Sequence, residues 1–161
     1  MKLIATKLFP FSRQPLSTLS KITIAALLSI AGSGGVIWVF STIHNPGLLA
    51  FLLLLLLCAG LLTTSLRWMP LLGTLMGGAT LFLFTRQPYV IVHLTRPKES
   101  IFFFVLILIA LASAGIALGA GMNATMQNYL TRERHAPRWW WAMLSGIAGM
   151  VIGAILITVI A

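Results

Sequence analysis

Apolar stretches at 22–40, 48–66, 70–85, 101–122 and 139–161 alternate with short polar or basic segments along the whole chain. A helix needs about 20 predominantly apolar residues to cross the hydrocarbon of a bilayer. Each stretch therefore predicts a transmembrane helix, and 70–85 is the shortest of them. If 48–85 were one uninterrupted helix it would be ~57 Å long at 1.5 Å per residue, nearly twice the roughly 30 Å of hydrocarbon. It must turn back on itself. Arg67 marks the place, because an arginine at the bilayer centre costs about 2.5–3.5 kcal/mol on insertion scales. Pro70 suits the first turn of a new helix, where its missing N–H is not needed. The pattern predicts an all-α polytopic transmembrane helix bundle with five helices, or four if 70–85 does not cross.

Lys and Arg set the orientation. With the N-terminus cytoplasmic, the inner segments carry Lys2, Lys7, Arg13, Lys21, Arg67, Arg132, Arg134 and Arg138, and the outer segments carry Arg86, Arg96 and Lys98. That asymmetry favours N-in. Residues 1–21 form a basic arm whose Leu8, Phe9, Phe11 and Leu16 predict an amphipathic stretch on the inner leaflet, and 22–161 form the transmembrane domain. The basic arm followed by an apolar run also has the order of a signal peptide. Because the apolar character continues past Ala31–Gly35 to Phe40, an uncleaved signal-anchor is expected. Residues 86–100 hold two prolines and an apolar stretch, Tyr89 to Leu94, too short to span, which predicts an interfacial piece on the outer face. Trp38, Trp68 and the consecutive Trp139, Trp140 and Trp141 are expected as anchors at headgroup depth, apolar in body with a polar N–H.

Composition reinforces the membrane reading. Of 161 residues, 59% are hydrophobic and only 8% charged, against about 25% charged in ordinary soluble domains. The net charge of +9 would draw nucleic acid if it formed a patch. Here the basic residues are spread between apolar runs, where anionic headgroups account for them, and no nucleic-acid partner is expected. The lone cysteine, Cys58, excludes an intramolecular disulfide.

Small residues recur at four-residue steps, which places them on one helix face. Gly73 and Gly77, Gly115 and Gly119, and Gly149 and Gly153 are expected to let helices pack closely, as small residues do in membranes. The helix over 48–66, with its leucine run Leu52–Leu57, is the expected lipid-facing element.

Chemistry is sparse. No ionisable residue falls in the middle of a predicted span, which argues against an intramembrane proton relay or voltage sensor. Glu99 and Glu133 are expected on opposite faces and cannot form a catalytic pair. His44 and His93 are weak candidates for a cofactor: both are expected at the outer face, and two imidazoles suit haem iron or copper. No catalytic residue, metal site or cofactor is expected. The leading expectation is a non-enzymatic subunit, anchor or assembly component of a complex in the cell (plasma or inner) membrane, multi-pass, with the lipid bilayer, other membrane subunits or its own copies as partners. Two alternatives stand beside it. One is an oligomeric transporter or channel for a small solute, with Thr74, Thr80, Ser113 and Ser145 along a polar path. The other is a membrane component of an electron-transfer system using His44 and His93.

Overall fold

The computed structural model describes residues 16–41, 45–96 and 100–129. These residues form α1 (Thr18–Phe40), α2 (Pro46–Leu62), α3 (Met69–Arg86), α4 (Pro88–Thr95) and α5 (Ile101–Tyr129), with no strand among them. Two helices, α1 and α5, are long and apolar enough to cross a membrane, and α2 is a shorter apolar helix. The expected helix over 139–161 and the arm up to residue 15 lie outside the described residues.

Local chemistry fixes most helix ends. The Ser17 side chain accepts the Ser20 N–H at 3.1 Å and caps α1, so this helix starts ahead of the expected Ile22 and takes Lys21 into its first turn. It then runs without a break through Ala31–Gly35. Asn45 caps α2 by accepting the Gly47 N–H at 2.8 Å, with Pro46 in the first turn. This helix stops at Leu62, short of the expected Leu66. There the Thr63 and Thr64 hydroxyls bond back to the carbonyls of Gly60 (2.6 Å) and Leu61 (2.7 Å), and Ser65 turns the chain in the left-handed region at φ 63°. Pro70 lies in the first turn of α3, as expected. Helix α5 outruns its expected end at Met122 because the polar residues that follow bond to their own helix. Asn123 Nδ2 donates to Gly119 O at 2.9 Å and Thr125 Oγ1 to Gly121 O at 2.8 Å.

The four long helices alternate in direction. Phe40 meets Phe102 edge-on at one end of the α1–α5 pair, and Leu19 clusters with Ala120 and Ala124 at the other. Helix α5 lies along both α1 and α3, and α2 closes the opposite side against α1 and, less extensively, α3. The α3–α5 contact is backbone on backbone. A Cβ at Gly77 would lie 2.7 Å from both Ala114 O and Leu118 N, and one at Gly121 would lie 2.7 Å from Thr74 N and 2.8 Å from Pro70 O. Gly73 instead faces α1, where an added Cβ would collide with Thr23 Cγ2. The Gly73–Gly77 pair therefore serves two neighbours. Gly115 and Gly119 are buried on α5, and Gly149 and Gly153 lie outside the described residues.

Arg67 is held at the α2–α3 turn in a reciprocal clasp. Its guanidinium donates to Asn128 O in the last turn of α5, and Asn128 Nδ2 donates back to Arg67 O at 2.9 Å. Only 6% of Arg67 is exposed. The negative end of the α5 dipole favours a cation at this position.

Many large apolar side chains stand on the outside of the described bundle. Leu53 (58% exposed), Leu57 (59%), Phe82 (61%) and Ile101 (70%) stand outward, while Thr23 and Thr80 are fully buried. Leu52, Leu55 and Leu62 turn inward from α2 to join Leu27 and Ile30 of α1. Within the run Leu52–Leu57, Leu52 and Leu55 are core and the other four leucines are exposed.

The glycine contacts yield a matched pair of variants. Alanine is favoured over glycine in a helix interior by about 1 kcal/mol. At Gly78 the new methyl would sit 3.7 Å from Leu118 Cδ1, an ordinary contact. Gly78→Ala is therefore expected to be neutral or stabilising. Gly77→Ala is expected to lose about 1–2 kcal/mol, because overpacking against backbone outweighs the propensity gain. Unfolding of both variants in detergent, followed by circular dichroism, separates them; equal effects would contradict the contact.

Candidate functional site

Pro88 shapes the site. Proline cannot continue a helix and pushes its predecessor into extended conformation. Gln87 accordingly sits at φ −89°, ψ 115°, ending α3 and starting α4. The short helix folds over the ends of α3 and α5. Val90 anchors it among Ile37, Phe84, Ile107 and Leu111.

Tyr89 and His93, four residues apart, share one face of α4. Their rings lie 4.2 Å apart between centroids. Phe103 of α5 meets both edge-on, at 5.8 Å from Tyr89 and 5.4 Å from His93. His93 Nδ1 is 2.9 Å from Tyr89 O. A carbonyl oxygen only accepts, so Nδ1 carries the proton and donates. Nε2 is then the nitrogen left to accept or to ligate. His44 lies outside the described residues. Among the described residues no three His, Cys, Asp or Glu side chains gather to hold a metal.

Beside this aromatic stack, a cavity of about 240 Å³ opens between the ends of α1 and α3, the start of α2, and α4. Its body is apolar, formed by Gly34, Ile37, Phe84 and Val90, and Ser41, Asn45, Gln87 and Tyr89 add polar groups. Glycine at position 34 keeps this wall thin, since a Cβ there would come within 2.6 Å of Leu52 Cδ2. No charged side chain is among the described residues lining the cavity.

The polar groups have a direction. Asn45 Oδ1 accepts the Gly47 N–H, which holds this side chain at the start of α2. The Tyr89 hydroxyl is buried and has no hydrogen-bond partner. A buried polar group left unsatisfied costs about 1–3 kcal/mol. Burial also pushes the Tyr89 phenol above its ordinary value, which keeps it protonated and able to donate at physiological pH.

The remaining candidates are structural in their contacts. Trp38 lies near the end of α1, and Trp68 caps α3 at the opposite end of the bundle; both pack half-buried against the core. Trp139, Trp140 and Trp141 lie outside the described residues. Thr80 donates to Met76 O at 2.7 Å and Thr74 to Pro70 O at 3.5 Å, each within its own helix. Ser113 reaches across to Ser29 Oγ at 3.0 Å and joins α5 to α1. Ser145 lies outside the described residues. Sequence reasoning missed the cavity, whose walls come from four separate helices. The nearest signal was Pro88 and Tyr89 at the start of a stretch too short to span.

The chain matches no protein-family model, no curated protein and no solved structure.

The chain has two tyrosines, Tyr89 and Tyr129, so Tyr129→Phe isolates the buried phenol. Its ultraviolet phenolate band is expected to rise with a midpoint above the ordinary value of about 10. A raised folded-state value means that the unfolded chain releases its proton first. The stability tied to this group is therefore present below pH ~10 and is lost as pH rises beyond it. A midpoint at the ordinary value would contradict the burial.

Proposed function

We propose that this chain is a multi-pass protein of the cell membrane, with five spans and a cytoplasmic N-terminus, acting as a non-enzymatic subunit, anchor or assembly component of a membrane complex. The observation that carries the reading is the distribution of side chains. Leucine, phenylalanine and isoleucine stand outward along α2, α3 and α5, while threonine and serine hydroxyls lie inside. Water would penalise that arrangement, and hydrocarbon accepts it. Backbone-to-backbone glycine contacts support it as well, since helices in lipid associate by close packing rather than by the hydrophobic effect.

A binding or scaffolding role fits the chemistry better than catalysis. Among the described residues, Lys21, Arg67, Arg86 and Arg96 sit at helix ends or turns, and no carboxylate is present to pair with a nucleophile or base. The interior hydroxyls of Thr23, Thr74 and Thr80 are bonded to carbonyls of their own helices, which favours a packed interior over a polar path.

Tags at the two chain ends test the topology. Five spans place an N-terminal tag inside and a C-terminal tag outside; both tags on one side would reject the odd number of spans. Native electrophoresis in mild detergent tests the partner role. The account expects a species well above the 17.5 kDa of one chain plus its micelle, and a strictly monomeric band would count against it.

A further inference from the structure

We propose that the cavity beneath α4 is a lateral binding site for a neutral, lipid-like molecule, an apolar chain bearing a carbonyl oxygen that accepts a hydrogen bond from Tyr89. The proposal rests on the membrane reading above and adds a ligand class to it.

Three features define the occupant. The first is size. An apolar cavity of roughly 150 Å³ holds benzene, so by proportion the 240 Å³ here takes ~10 carbon atoms. That is a segment of an acyl or isoprenoid chain. The second is charge. With no charged side chain among the described lining, an ionised ligand would be buried without a counter-charge, which is strongly disfavoured. The third is hydrogen-bond polarity. Tyr89 lines the cavity and has a buried hydroxyl without a partner. The protonated Tyr89 hydroxyl therefore presents a donor, and the complementary group is an acceptor. A carbonyl oxygen meets this need without bringing a charge.

Position supports the same occupant. The cavity lies where the chain turns between helix ends, beside Gln87 and Asn45, with the apolar flanks of the bundle below it. An ester carbonyl joined to its acyl chain combines the same polar and apolar chemistry. Two sources share the chemistry, an acyl ester of a bilayer phospholipid and a free neutral carbonyl lipid.

The test uses the full chain in dioleoylphosphatidylcholine vesicles with two photoreactive probes, a diazirine-acyl phosphatidylcholine and a long-chain diazirine methyl ketone. Crosslinks are mapped by mass spectrometry. The expected result is labelling concentrated on segments 34–41, 45–48 and 84–90, above that on the outward leucines Leu53 and Leu57. Stronger labelling by the phosphatidylcholine assigns the site to bilayer lipid, and stronger labelling by the ketone assigns it to a free neutral lipid. Leu48 also lines the cavity, and Leu48→Trp, which fills it, should abolish the enrichment. Tyr89→Phe, which removes only the donor, should weaken it about three- to tenfold, the value of one hydrogen bond. Helix content of both variants is checked by circular dichroism. Uniform labelling that neither variant changes, in protein that is inserted and folded, would overturn the cavity proposal alone. Recovery of the unlabelled chain in the aqueous fraction after carbonate washing would overturn the membrane reading and the site with it.

Discussion

The rest of the structure depends on the approach of α3 to α5. At Gly77 and Gly121 the two helices touch backbone to backbone, with no room for a methyl group at either position. In a water-soluble bundle, interdigitated large side chains would fill such an interface and draw their stability from leaving water. Here the interface is built from the smallest residues. Gly77, Ala114 and Gly121 lie at its centre, and Ala117, Ala120 and Ala124 are fully buried on the same helix. Dispersion contacts at short range then supply the cohesion, each small and their sum large. The larger side chains are displaced outward, which gives the outer surface its apolar character.

The ends of the bundle are fixed by different means. At the α2–α3 turn, Arg67 and Asn128 exchange bonds through their side chains and backbone, so a turn and a helix terminus satisfy each other. At the opposite end, Pro88 redirects the chain and α4 covers the cavity with Pro88, Tyr89 and Val90. One end is closed by polar bonds. The other is a cavity with apolar walls beneath the aromatic helix α4.

Much of the helical layout was legible because it follows from local rules. Arg67 and Pro70 marked the hairpin, since a charge and a helix-starting residue can both be read without a partner. The stretch from Tyr89 to Leu94 was recognised as too short to span, and it forms α4. Helix ends were less legible. Ser17 caps ahead of the first apolar residue, while Asn123 and Thr125 bond along α5 instead of ending it. In both cases a polar residue looks like a boundary by hydropathy but extends the helix by hydrogen bonding. The glycine pairs were visible as small faces, yet sequence spacing does not say which helix each face meets; Gly73 and Gly77 meet different ones. The cavity and the Arg67–Asn128 clasp were illegible because each joins residues that only the tertiary fold brings together.

The central claim is that the outward leucines and phenylalanines of this bundle are solvated by hydrocarbon. Its most direct test is spin-label accessibility, with the buried Cys58 replaced by alanine and single nitroxides placed at Leu53, Leu57 and Phe82 in vesicles. The account predicts frequent collisions with dissolved oxygen and few with an aqueous nickel chelate at all three positions. Ready collision with the chelate at these sites would contradict it.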